Sequence, residues 1–247
     1  MKKDGTHRIC YDFRLLNEDT IGQTYTMKDP QEMIETAAGH AFISIIDFVS
    51  GYHQVPMAEK CREMTAFSIP GPQGGQYQFK VMPFGLKGAP ATFQQFMDDV
   101  FRPFLGKFAV VYIDDLAIFS NDREEHINHL RQILQTMRDN QIYAKRKKCF
   151  FMKKEVPYLG HIISEKGIGM DPKKIEAITN WPEIQTIKQL RAFLGLMGYY
   201  RKFIASYADK AKPLTDLLKK EVISKWTTEH TAAKQSLIRA LTEAPIL

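Results

Sequence analysis

The chain has 247 residues, of which 44% are hydrophobic and 25% charged, which suits one large or two modest folded domains and excludes a disordered or fibrous class. Thirty-four Lys and Arg against 28 Asp and Glu give a net +6 and a pI near 9.1, which suits an anionic partner such as nucleic acid. Cys10, Cys61 and Cys149 lie far apart without a CxxC, so they read as free thiols, and there is neither an apolar run of membrane-spanning length nor an apolar signal segment after Met1-Lys2-Lys3.

Residues 1–30 are polar and irregular around the apolar patch Ile9-Cys10-Tyr11. Residues 42–47, Phe-Ile-Ser-Ile-Ile-Asp, predict a buried strand that ends in Asp47. Two further strands are predicted over 64–69 and 76–82. The glycine-rich stretch Pro70–Gly75 between them lacks the Gly-Lys-Ser/Thr of a phosphate loop and is read as a hairpin connection. Gly88-Ala89-Pro90 opens a helix with Phe93, Met97, Val100 and Phe101 on its apolar face. The pair Asp98-Asp99 lies mid-helix, is expected to be exposed, and is assigned no catalysis.

The run from Phe108 to Phe119 holds two β-branched and aromatic stretches with Asp114 and Asp115 between them, which predicts two buried strands and an acidic tip. Adjacent like charges held against a buried sheet are costly unless a cation neutralises them. A divalent metal ion is the usual remedy, and paired carboxylates on Mg²⁺ recur in phosphoryl transfer. A solvated turn is the competing reading, since aspartates are common in turns, although tight hairpins favour Asn-Gly and Asp-Gly.

Asn121 or Asp122 caps a second helix, with Glu124 or Glu125 three positions on and Ile127, Leu130, Leu134 and Met137 as its apolar face. His126 and His129 have helical spacing without an acidic or thiol partner, and read as a solvated face rather than a metal site. Tyr158 to Ile163 predicts one more sheet element. Helices follow: Asp171-Pro172 starts one through Ile175 and Ile178 that stops at Trp181-Pro182. Thr186-Ile187-Lys188-Gln189 is a capping box for the next, with Leu190, Phe193, Leu194 and Met197 on one face. Two more are expected around 213–220 and 228–242. A mixed α+β part thus precedes an all-helical part, with the boundary near 165–171.

Asp47 supplies a possible third carboxylate, although capping the next turn is an equally simple role. If its strand neighbours the acidic hairpin, three carboxylates meet at one sheet edge, a set able to hold two Mg²⁺ about 4 Å apart.

Taken in order, Asp47…Tyr52, Met82-Pro83-Phe84-Gly85-Leu86…Ala89-Pro90, Tyr112-Ile113-Asp114-Asp115, Lys147-Lys148-Cys149 and Tyr158-Leu159-Gly160-His161 resemble the palm motifs of reverse transcriptases. The Phe-Gly-Leu variant, with Leu190-Arg191-Ala192-Phe193-Leu194-Gly195 and Tyr199-Tyr200-Arg201, resembles gypsy-type LTR retrotransposon polyproteins. The likeness covers nearly the whole chain.

The resemblance implies an α+β right-hand polymerase palm, an antiparallel sheet packed on helices, with partial fingers, followed by a helical thumb. It implies partial fingers and palm over 1–165, thumb over 166–220, and the start of a tether to RNase H over 221–247. Asp47, Asp114 and Asp115 would be the metal aspartates, with the Phe48 carbonyl as a further ligand of two Mg²⁺ ions that Mn²⁺ could replace. Arg8, Phe48, Val49, Tyr52, Phe84 and Gly85 would surround the deoxynucleotide: Arg8 as the triphosphate clamp, Tyr52 as the sugar gate, Phe84 as an apolar contact. Apart from the family, Arg8 reads as a surface arginine and Tyr52 as a core aromatic. Lys148 would protonate the leaving pyrophosphate, or else serve as one member of a solvated basic run. Leu159 and Gly160 would grip the primer end.

The implied partners are an RNA or DNA template with its primer and dNTPs, without a membrane. The implied location is a cytoplasmic particle or the nucleus, without secretion. The chain begins inside the family's fingers and stops ahead of RNase H and integrase regions. That departure keeps open a remnant or domesticated product that binds nucleic acid or protein without polymerising.

Overall fold

The computed structural model describes residues 11–72, 74–219 and 226–247. Two compact units divide the chain: Met1–Leu159 with Ile163–Glu165, and Gly160–Ile162 with Lys166–Leu247.

The first unit begins with helices α1 (Arg14–Asp19) and α2 (Pro30–Ala37), then strand β1 (Phe42–Asp47). α1 lies within the stretch whose composition suggested irregular chain. The α2 N-terminus is built from Asp29, whose side chain accepts from Gln31 N at 2.9 Å, and from Pro30 in the first turn. Helix α3 (Glu59–Arg62) runs into a 3₁₀ turn over Glu63–Thr65, so the strand expected from 64 shortens to β2 (Phe67–Ile69), paired antiparallel with β3 (Gly75–Tyr77). Thr65 explains the shortening: its hydroxyl donates to Arg62 O at 2.6 Å and accepts from Phe79 N at 3.0 Å, which closes a local turn instead of a ladder. Beyond β3 only Val81 returns to β geometry, in a bridge with Pro56.

Helix α4 (Ala89–Phe101) packs beneath β4 (Ala109–Tyr112), β5 (Asp115–Ser120) follows, and α5 (Arg123–Asp139) leads to β6 (Phe150–Lys153). These strands make one antiparallel sheet of order β4-β5-β1-β6. One face meets α4 and α5 in a core that includes Ile46, Phe93, Met97, Phe101, Val111, Leu116, Ile118 and Ile133. β1 pairs with β5 without a slip from Phe42↔Ser120 to Asp47↔Asp115. Both faces of β1 and β5 are buried, Ile46, Leu116 and Ile118 within the core on α4 and α5 and Ile43 and Ile45 on the opposite face, and this unbroken ladder carries through to the acidic end.

The single element expected over Tyr158–Ile163 is two strands, β7 (Glu155–Tyr158) and β8 (His161–Ser164), followed by β9 (Gly167–Met170) in a sheet of order β7-β8-β9. Leu159 and Gly160, at φ 45° and 77°, form the two-residue loop, and positive φ at both positions is the type I′ hairpin pattern. The second unit continues with α6 (Pro172–Thr179), α7 (Ile187–Tyr199), α8 (Tyr207–Lys219) and α9 (Thr228–Thr242). Thr186 and Gln189 complete their capping box, and Leu190, Phe193, Leu194 and Met197 are the buried face of α7. No helix among the described residues is long and apolar enough to cross a membrane. Cys61 and Cys149 are free and half-buried; Cys10 lies outside the described residues.

Two polar readings are corrected. Asp98 is buried, not exposed, and is held by Tyr25, Lys28 and Gln94. His126 is fully buried, not solvated, and α5 turns His126, Ile133 and Met137 to the core while Leu134 is exposed. The imidazole spans the sheet: Ser44 Oγ lies 2.7 Å from Nε2 and Ser120 Oγ 2.9 Å from Nδ1, and Ser120 also bonds His129 Nδ1 at 2.8 Å. Burial first, and then the neighbouring His129, push the His126 pKa down to about 4. The unfolded chain therefore takes up the proton first, and the stabilisation held above the ordinary histidine value drains away as pH falls from about 6.5 to about 4. Relative to the parent, His126→Asn should lower Tm by several degrees at pH 7.5, and this deficit should shrink as pH falls through that window. Thermal scans across the pH series check it, and a constant deficit contradicts a neutral buried imidazole.

Candidate active site

The acidic tip is assembled by register. Asp115 is the first residue of β5, opposite Tyr112 on β4 and opposite Asp47 on β1. Ile113 and Asp114 alone form the loop, so the expected Asp-Asp tip is an Ile-Asp tip with the second aspartate already on a strand. Ile113 has φ 49°, a left-handed conformation that a β-branched residue rarely adopts. Behind the turn, Gln94 on α4 accepts from Ile113 N at 2.7 Å and donates to Val111 O at 3.2 Å.

Two neighbouring loops close on the same point. After β1, Phe48 N donates to Asp114 O at 3.3 Å, and the Phe48 ring is buried against Phe101. Ser50, at φ 51°, turns the chain so that Gly51 faces Asp114; a Cβ at position 51 would overlap Asp114 Oδ1. From the other side, the segment before β6 is held by Lys145 N donating to Asp47 O and Val49 N donating to Tyr143 O, each at 2.8 Å. Gln54 ties it further, accepting from Tyr143 N at 2.7 Å and donating to Tyr143 O at 3.0 Å. These anchors bring Lys148 onto Asp47: Nζ lies 2.7 Å from Oδ2.

The electrostatics follow from this crowding. Burial first, then Asp47 and Asp114, push the Asp115 carboxyl up to about 6. Burial and then Asp47 raise Asp114 as well, while Lys148 pulls both back down. The contact with Asp47 holds the Lys148 ammonium above the usual lysine range. Asp114 Oδ1 is buried without a hydrogen-bond partner, and so is Tyr158 Oη at the end of β7, where burial and the Asp115 charge raise the phenol.

Such a site suits a hard cation: its donors are carboxylate oxygens, and one is desolvated and unpaired. The side chains do not encircle one point, and among the described residues no group of three or more His, Cys, Asp or Glu is arranged to hold a metal ion. Asp47 is turned to Lys148 instead.

Beside the carboxylates lies an aromatic platform. Tyr52 packs on Phe84 and Phe93, with ring centroids 5.0 and 5.5 Å away, and Phe84 is 43% exposed, which leaves an open apolar face. Burial, and then the Asp114 charge, raise the Tyr52 phenol. Gly85 takes φ 99°, with its carbonyl accepting from Asn17 Nδ2 at 2.8 Å. Val49 is exposed at the rim. Arg8 lies outside the described residues. Leu159 and Gly160 form the β7–β8 loop, and the Gly160 carbonyl accepts from Tyr200 Oη at 2.9 Å.

Gln94, Gly51 and Gln54 escaped the sequence reading. Gln94 had a signal: with Asp98 it forms a polar i, i+4 pair on a helix face otherwise made of Phe93, Met97 and Phe101. Gly51 and Gln54 carry no such local mark.

Comparison with known proteins gives one picture. The family model described as reverse transcriptase (RNA-dependent DNA polymerase) matches residues 1–163. The retrovirus-related Pol polyprotein from transposon 297 of Drosophila melanogaster is 40% identical over 242 residues, which is 98% of this chain and 23% of that protein. The Pol polyprotein from transposon gypsy of the same organism is 41% identical over 214 residues, 87% of this chain and 20% of that protein. The chain thus spans about a fifth of the length of these curated relatives. Among solved structures, the foamy viral protease-reverse transcriptase in complex with double-stranded DNA superposes with a TM-score of 0.92 at 26% identity, covering 100% of this chain and 43% of that one.

Removal of the ammonium at Asp47 tests the charge balance. Lys148→Met should raise the Asp114 and Asp115 midpoints further, since Lys148 lowers both. Carboxyl ¹³C titration in chelator reads this directly, and unchanged midpoints would deny the pairing.

Proposed function

Since the chain belongs to the reverse transcriptase (RNA-dependent DNA polymerase) family and has gypsy-type retrotransposon Pol polyproteins among its relatives, we propose that it carries the polymerase core of such a polyprotein. The reaction is RNA- and DNA-templated transfer of a deoxynucleotide onto a primer 3′-hydroxyl. Residues 1–165 would serve as partial fingers and palm, 166–220 as thumb, and 221–247 as the start of a tether to an RNase H domain. The observation that carries this reading is the placement of Asp47 opposite Asp115, with the unpaired Asp114 Oδ1 on the adjoining turn.

Asp47, Asp114 and Asp115, with the Phe48 carbonyl, would hold two Mg²⁺ ions, for which Mn²⁺ substitutes. Bound there, the ions supply activation of the primer hydroxyl and neutralisation of the triphosphate. The protein's own part is positional. Gly51 leaves room for the Asp114 carboxylate. Tyr52, braced by Phe84 and Phe93, places a ring under the sugar, where a 2′-hydroxyl would clash. Gly85 brings the backbone close to the nucleotide, Val49 lines its rim, and Arg8 supplies a planar fork for the triphosphate. Lys148, kept charged by Asp47, is the proton source for the leaving pyrophosphate. Leu159 and Gly160 steady the primer end. The duplex itself is held mainly at its phosphates by lysines and arginines, so affinity falls steeply with salt.

Primer extension on poly-rA/oligo-dT with Mg²⁺ tests the reading. The chain should extend the primer, and Asp114→Asn should reduce extension at least about 100-fold, the scale of removing one preorganised charged group. A folded, duplex-binding chain that extends nothing would leave nucleic-acid binding as its function. Tyr52→Ala should raise ribonucleotide incorporation relative to deoxynucleotide roughly 10-fold or more. Unchanged sugar selectivity would remove Tyr52 from the gate.

A further inference from the structure

Beneath the acidic turn a line of polar groups crosses an otherwise apolar core. Gln94 is fully buried on the core face of α4 and uses both ends of its amide. Oε1 accepts from Ile113 N at 2.7 Å, while Nε2 donates to Val111 O at 3.2 Å and to Asp98 Oδ1 at 3.0 Å. Asp98 is buried in turn, and its carboxylate accepts from Tyr25 Oη at 2.5 Å and Lys28 Nζ at 2.8 Å.

The order of donors and acceptors gives the line a direction. An ionised carboxylate only accepts, so Asp98 compels the Gln94 NH₂ to face it. The Gln94 carbonyl must then face the turn, where the Ile113 N–H requires an acceptor. Flipped, the amide would set NH₂ against N–H on one side and carbonyl against carboxylate on the other. The Val111 carbonyl, the second acceptor of that NH₂, imposes the same direction, and Lys28 and Tyr25 fix Asp98, so the N-terminal segment reinforces the orientation of a side chain under the turn.

What the orientation secures is Ile113 at φ 49°. A β-branched residue leaves that region unless its surroundings over-determine it. The hydrogen bond from its N–H to Gln94 is such a constraint. The residue that follows is Asp114, whose carboxylate occupies the space that Gly51 leaves open.

We propose that Gln94 is a positioning residue for Asp114: oriented by Asp98, Tyr25 and Lys28, it holds Ile113 in the left-handed conformation that aims the Asp114 carboxylate toward Gly51. The effect on turnover rests on the polymerase reading; the hold on the turn does not.

Hydrogen exchange on the full chain measures the hold. In the parent, the Ile113 amide should exchange as slowly as the strand amides of Leu116 and Ala117, and exchange at the rate of a free turn overturns the proposal. Gln94→Met should speed Ile113 exchange roughly 10-fold or more while Leu116 and Ala117 keep theirs. Asp98→Ala, which leaves the Gln94 NH₂ with the Val111 carbonyl as its one remaining acceptor, should speed Ile113 exchange in the same sense and serves if Gln94→Met fails to fold. Parental exchange at Ile113 in a folded variant overturns the proposal. In primer extension, Gln94→Met should lower kcat roughly 10- to 100-fold with KM for the nucleotide within about threefold, the pattern of a misplaced rather than an absent group. In an Ile113→Gly background, where φ 49° is free of strain, the same substitution should cost at most about threefold. An equal cost in both backgrounds marks Gln94 as general core structure and overturns the proposal. A parent that incorporates no nucleotide overturns the polymerase reading alone, and the exchange measurements then decide on the strap.

Discussion

Three carboxylates meet at the end of a sheet whose register they do not choose. β1 and β5 bury side chains on both faces and pair in one unbroken register from Phe42↔Ser120 to Asp47↔Asp115. That register sets Asp47 directly opposite Asp115 and leaves Asp114 one residue away on the turn. Strand pairing thus brings together charges that repel, and the nearby features are responses. Lys148 sits on Asp47, the Asp115 proton is held up to about 6, and Asp114 keeps a desolvated oxygen. A sheet selected for stability alone would not place unneutralised carboxylates opposite each other.

The aromatic platform answers a different demand beside the same edge. Tyr52 and Phe93 are braced within the core while Phe84 leaves a face open, so the platform joins rigid backing to apolar surface. Tyr52 also registers the Asp114 charge. The carboxylates and the ring therefore share one environment, and a group bound over the ring lies within the field of the acidic edge.

Legibility in the sequence followed the range of the interaction. β1, β4, β5 and the face of α7 were readable because apolar periodicity is local, and Asp171 and Thr186 were readable as caps because their partners lie two or three residues away. Asp98 and His126 were misread because what pays for their burial comes from far along the chain: Tyr25 and Lys28 for one, Ser44 for the other. The β7–β8 loop hid inside an apolar run because Leu159 carries none of the usual turn chemistry. The order of Asp47, Asp114 and Asp115 was readable as a resemblance, whereas their separation across a strand pair is a property of register.

Ile113 shows what kind of compromise the turn is. A two-residue hairpin loop with positive φ ordinarily takes glycine or asparagine, and an isoleucine there costs about 1–3 kcal/mol in backbone strain. Glycine would remove the strain, but it would also remove a side chain that packs on the core and would widen the range of conformations open to Asp114. Isoleucine narrows that range only if something holds it in the disfavoured well. The hydrogen bond to Gln94 is such a hold, and it is secured from beneath by a buried carboxylate whose own charge is met by Lys28. Strain at the tip and polarity in the core are thus two halves of one arrangement, each unfavourable alone, which together leave a single carboxylate with few places to go.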